Sequence, residues 1–178
     1  MNYAKWKDAI RMMHKLNARR VWNILKVRSS YLISRFTGRP VQWGLPISLA
    51  VEPTTSCNLR CPECPSGLRS FTRPTGMLSK DFFRESIDQV SADIFYLIFY
   101  FQGEPYLHPQ FLEMVSMATE RNVYTTTSTN GHYLTPEVAA QTIRSGLAGI
   151  IVSVDGVTQD VYEQYRIGGS LGRTLKTV

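Results

Sequence analysis

Outside residues 57–64 the 178-residue sequence contains no cysteine; within them it has three. An odd, tightly clustered set of thiols excludes the paired disulfide framework of small secreted domains. Long apolar runs are also lacking. The longest strongly apolar stretch, Ile94 to Phe101, falls far short of the ~20 residues that span a bilayer, and no apolar stretch near the start resembles a signal peptide. These absences predict a reduced, cytoplasmic protein with no transmembrane segment. Acidic residues are nearly missing from residues 1–40, where Asp8 stands alone against ten Lys and Arg, whereas residues 41–178 carry thirteen acids against ten bases. The net charge of +6 therefore belongs to the leader. A hydrophobic fraction of 43% with ordinary glycine and proline usage excludes disorder and suffices for one sizeable core.

The leader, residues 1–45, reads as a basic amphipathic helical segment. Lys7, Arg11, Lys15 and Arg19 recur every four residues, and Trp6, Ile10, Met13 and Leu16 fall on another face. Like charges at this spacing are mildly destabilising, so the stripe calls for solvent or an acidic partner. Two accounts fit: a solvated face beside the main domain, or contact with an anionic membrane surface, nucleic acid or an acidic peptide.

From residue 46 the chain alternates between strand and helix patterns. Strands are predicted at Ile47 to Val51, Ile94 to Phe101, Val123 to Thr127 and Ile150 to Val154. Between them, Ser79 caps a helix carrying Phe83, Ile87 and Val90 on one face, Pro109 opens a second, and Thr135 with Pro136 starts a third. Gln159 to Tyr165 is a weaker helix, followed by a turn at Gly168 and Gly169. About four βα units in series predict an α/β fold with a parallel sheet and outer helices, part of a TIM-like (β/α) barrel. Polar residues follow each strand, and in a barrel all the strand C-terminal ends face one side, where ligands bind.

Three thiols are one short of the four protein ligands that structural zinc takes. His108 or His132 would have to supply the fourth. Inert buried cysteines sit poorly beside Asn58, Arg60 and Glu63. A 4Fe-4S cluster held by three thiolates, with one iron left free, accounts for the count better.

Cys57, Cys61 and Cys64 form a CX3CX2C pattern that resembles the signature of radical S-adenosylmethionine (radical SAM) enzymes. "QGEP" at 102–105 is similar to that family's SAM-binding GGE motif. The stretch "EPTTSCNLRCPECPSGLRSFTRPTG" looks like members with a C-terminal SPASM-type auxiliary-cluster domain, a group associated with peptide and protein maturation. The resemblance covers roughly residues 46–178. It implies that Cys57, Cys61 and Cys64 ligate a 4Fe-4S cluster whose free iron is chelated by SAM. It further implies SAM contacts from Gly103, from Glu104 as acceptor for the SAM ammonium, from Ser128 and Asn130 at ribose or carboxylate, from Ser153 and Asp155 at the ribose, and from the Glu63 backbone at adenine. The implied reaction is one-electron reduction of SAM, fed by a donor such as a flavodoxin or ferredoxin, to a 5′-deoxyadenosyl radical that takes hydrogen from a substrate, either a peptide or a small metabolite.

The pattern departs from the family at Glu63, where an aromatic residue often supports adenine, and at Gln102, which replaces the first glycine of GGE. Relatives usually have about six βα units, so residues 46–178 are expected to be the N-terminal part of a truncated radical SAM core, with Ile150 to Val154 left as an unpaired apolar edge. The alternatives are a zinc- or cluster-binding module without catalysis, or an inactive fragment of a longer radical SAM enzyme.

Overall fold

The computed structural model describes residues 3–177. Its centre is a four-stranded, wholly parallel sheet in the order β1 (Ser48–Ala50), β2 (Tyr96–Ile98), β3 (Tyr124–Thr129), β4 (Gly149–Val152). Strands added in chain order without reversal build a barrel wall, whereas a doubly wound sheet changes direction part-way. The wall is not closed: β1 pairs only with β2, and β4 only with β3. Ile151 of β4 is accordingly exposed.

The connecting helices form where the sequence places their caps. Ser79 accepts from Phe82 N at the start of α4 (Lys80–Val90), and Thr135 accepts from Val138 N ahead of Pro136, the first residue of α6 (Pro136–Arg144). α5 begins at Phe111 and ends at Glu120, two residues beyond Pro109, because Pro105–Leu107 form a 3-10 turn capped by Glu104. Phe83 and Ile87 of α4 and Phe111, Met114 and Val115 of α5 bury themselves against Leu97 and Phe99. Phe99 lies 5.5 Å from Phe83 and 5.6 Å from Phe111 between ring centroids. Each such side chain contributes about 1.5–3 kcal/mol by leaving water.

Three short helices complete the fold, one of them expected from the sequence. α3 (Pro65–Leu68) follows the last cysteine, α7 (Gln159–Tyr165) forms as expected, and α8 (Leu171–Leu175) packs behind it. The leader holds two helices instead of one, α1 (Tyr3–Met13) and α2 (Ala18–Thr37). Asn17 caps α2 and breaks the four-residue stripe, leaving Lys15 in the connection and Arg19 on α2. Arg19 forms a two-point pair with Asp93, at 3.0 and 2.7 Å, so this part of the basic stripe meets the main body and not a partner.

Candidate functional site

The loops leaving the C-terminal ends of the four strands converge on one cavity. Cys57, Cys61 and Cys64 border it from the β1 side, Gly103 and Glu104 from β2, Ser128 and Asn130 from β3, and Ser153 from β4. Two residues expected there stand apart. Glu63 is exposed and does not border the cavity, and Asp155 is outside it as well, ion-paired with Arg166.

Backbone hydrogen bonds fasten the cysteine loop to the loop after β2. Glu104 N donates to Ser56 O at 2.8 Å, and Gly103 N donates to Ser66 Oγ at 2.8 Å. Gly103 has φ +75°, and a Cβ there would lie 2.0 Å from Thr54 O. A Cβ on Gly67 would lie 2.4 Å from Cys61 O and 2.5 Å from Cys61 N. Glycine at both positions is what permits the two loops to close on the thiols.

Glu104 has a structural job in this fold. Its carboxylate is buried and already accepts from Thr129 Oγ1 at 2.7 Å, Asn130 N at 2.8 Å and Tyr106 N at 3.3 Å. Burial pushes its pKa up, and those three donors oppose the rise. The carboxylate thus ties the β2 loop to the end of β3. The acceptor without a partner is its neighbour: Gln102 Oε1 is buried in the cavity wall and makes no hydrogen bond.

Around the thiols, Leu59 N donates to Cys57 Sγ at 3.4 Å, and Asn130 Nδ2 approaches the same sulfur at 4.0 Å while donating to Asn58 Oδ1 at 2.8 Å. Burial pushes the Cys57 and Cys61 thiols up, and the Arg166 guanidinium acts against this at Cys61. Ser128 and Ser153 hydroxyls meet at 3.2 Å across β3 and β4.

Arg166 and Tyr165 also border the cavity, and sequence reasoning missed both. They lie at the end of α7, and nothing local to that helix announces that its last turn folds back over the cysteine loop. The contact that brings it there is non-local, Arg60 N donating to Ile167 O at 3.0 Å.

Structural zinc takes four protein ligands, and the three thiols bordering the cavity are one short. Neither histidine near the site is open to complete the set. His108 Nε2 bonds Leu78 O and its Nδ1 accepts from Gln110 N, while His132 Nε2 accepts from Ser170 N and its Nδ1 faces Asn130. A 4Fe-4S cluster held by three thiolates leaves one iron for another ligand. Three thiols bordering one cavity, beside a buried unpaired acceptor, fit a cluster with an amino-bearing ligand on its open side.

Residues 51–178 match the family described as the Radical SAM superfamily. The mycofactocin maturase MftC of Mycobacterium ulcerans is 35% identical over 133 residues, which are 75% of this chain and 36% of that protein. The AdoMet-dependent heme synthase of Methanosarcina barkeri is 30% identical over 131 residues, 73% of this chain and 37% of that protein. The crystal structure of BtrN in complex with AdoMet and 2-DOIA is similar with a TM-score of 0.55 at 25% identity, over 75% of this chain and 56% of that one. The chain thus spans about a third of the length of these curated relatives. Members of the family use a 4Fe-4S cluster and SAM. A family match from residue 51 through β2, β3 and β4, joined to a parallel barrel wall with three cysteines at its ligand-binding end, identifies the chain as belonging to the radical SAM superfamily.

Proposed function

We propose that this chain is the cofactor-binding part of a radical SAM enzyme that modifies a peptide. In this reading Cys57, Cys61 and Cys64 hold the 4Fe-4S cluster. Gln102 Oε1 and the backbone around Gly103 would hold the ammonium of SAM, and Ser128, Asn130 and Ser153 its ribose and carboxylate. The observation that carries the reading is the convergence of four loops, distant in sequence, on the one cavity bordered by all three thiols.

Cluster and SAM together supply one-electron chemistry that yields a carbon radical able to take a hydrogen atom from the substrate. The chain's own residues position and shield them. Leu59 and Phe101 give the cavity apolar wall. Glu104, held by three donors, fixes the β2 loop relative to β3. Asp155 takes part through Arg166, which it holds beside Cys61. Electrons would come from a small one-electron carrier such as a flavodoxin or ferredoxin in a reducing compartment, consistent with three free thiols. A peptide substrate is supported by the PqqA peptide cyclase of Rhodopseudomonas palustris, 28% identical over 134 residues, and by the likeness of the cysteine stretch to SPASM-type members; the heme synthase relative marks a small metabolite as the rival.

The test is anaerobic reconstitution of the chain with iron and sulfide. We expect about one 4Fe-4S cluster per chain, abolished by Cys57→Ala, and a change in the reduced cluster's electron paramagnetic resonance spectrum on adding SAM. Stoichiometric zinc without iron uptake would return the site to a zinc module. A cluster indifferent to SAM would make the chain an electron carrier or an inactive remnant.

A further inference from the structure

α2 is amphipathic in the inverted sense. Its buried residues are polar: Arg20 at 2% exposure, Asn23 and Ser30. Its outward residues include Trp22, Leu25, Leu32 and Phe36, exposed by 63%, 51%, 40% and 86%. The inner face is held by hydrogen bonds. The Arg20 guanidinium donates to the carbonyls of Asn122 at 2.7 Å, Ser91 at 2.6 Å and Arg121 at 3.1 Å. Asn23 exchanges two bonds of 2.9 Å with the backbone of Leu45, which lays Trp43 beside Trp22 and Leu25 in a shallow apolar groove. These contacts fix α2 at the starts of β2 and β3, the end of the sheet opposite the cavity.

Positions 22, 25, 29, 32 and 36 lie on one side of a helix at 3.6 residues per turn, a stripe about 21 Å long. At the same periodicity Lys26 borders it on one flank, and Arg28 and Arg35 on the other, while Arg19 is turned to Asp93. An apolar face this large calls for a cover, and the basic flanks decide which kind. A second copy would bring its own leader, with ten bases against one acid, and so repel. Nucleic acid would engage the flanks and leave the tryptophans and Phe36 in water. A lipid surface of negative charge satisfies both, since headgroups meet the Lys and Arg while Trp, Leu and Phe enter the interface. Among the described residues no helix is long and apolar enough to cross a membrane, so the contact made by α2 would be a lateral one.

We propose that the outer face of α2, together with Trp43, seats the protein on an anionic phospholipid surface, with the thiol-bordered cavity turned away from it. The test is co-sedimentation of the full chain with vesicles of phosphatidylcholine alone and of phosphatidylcholine mixed with phosphatidylglycerol, with tryptophan emission read in parallel. We expect binding to the mixed vesicles only, a blue shift, and weakening by salt. Replacing Lys26, Arg28 and Arg35 by Gln should lower affinity on the order of 100-fold, at about tenfold or less for each charge. Trp22→Ser with Phe36→Ser should also abolish the binding and leave the circular dichroism spectrum and thermal midpoint unchanged, because both side chains are exposed. The proposal is overturned by any of four results: no binding to mixed vesicles, anionic binding that survives the apolar double variant, preferential binding of a DNA duplex, or a stable dimer that buries the tryptophans.

Discussion

The Arg166 guanidinium faces the Cys61 thiol while Asp155 grips it from behind. A cation there favours the thiolate, and a reduced cluster, more negative than an oxidised one, gains from it too. Two unit charges in a partly buried site interact by about 1–3 kcal/mol. Arg166→Gln should therefore slow alkylation of Cys61 in the metal-free chain at neutral pH. After reconstitution it should shift the cluster midpoint potential downward by some tens of millivolts. Arg166→Lys should recover part of the shift, and Asp155→Asn should produce a smaller one. A potential unaltered in Arg166→Gln would show that the residue only closes the α7 turn.

Gly67→Ala and Gly103→Ala place a methyl group against Cys61 backbone and Thr54 O. At Gly103 the positive φ adds strain. Each should cost about 2–4 kcal/mol in chemical denaturation and lower the iron retained after reconstitution. Gly76→Ala, whose Cβ meets nothing within 4 Å, should leave both measurements near wild type.

Gln102 and Glu104 should separate by assay. Gln102→Ala removes an acceptor that has no protein partner, so stability should hold while SAM affinity falls about tenfold, the worth of roughly one hydrogen bond to a charged group. Glu104→Ala deprives three buried donors of their acceptor and should cost about 2–4 kcal/mol of stability. Its effect on SAM would follow from a displaced loop. Equal loss of stability in both variants would contradict the division of labour.

Burial holds His132 below its ordinary pKa, and its neutral Nε2 accepts from Ser170 N at 2.8 Å. The native state thus stays unprotonated where the unfolded chain already binds a proton, so stability should decline as pH drops below about 6.5 toward the lower folded-state value. Thermal midpoints of the wild type and His132→Gln, measured on both sides of that pH, should converge on acidification, because the variant lacks the proton-linked term.

Much of the architecture was legible because its causes are local. Ser79 and Thr135 cap helices with their own side chains, Pro136 is tolerated only in a first turn, and Phe83 and Ile87 repeat at the helical period. The number and spacing of the three cysteines resembled the signature of the family that residues 51–178 match. The single-helix reading of the leader failed at Asn17, an N-cap residue set inside an otherwise continuous basic pattern.

The identity of the thiols, the order of the βα units and the site's position beyond the strand ends were therefore determined by the sequence alone. Only the tertiary structure decided that Glu104 is fastened to β3 while Gln102 Oε1 is left without a hydrogen bond, because the two differ in what β3 offers them and not in their neighbours along the chain. It decided that Asp155 reaches the site through Arg166, since that link depends on α7 folding back over the cysteine loop. It also turned α2 inside out. Periodicity separates polar from apolar faces, but which face goes inward here was set by the unpaired carbonyls of Ser91, Arg121 and Asn122, which draw in a guanidinium and leave the tryptophan side to the outside.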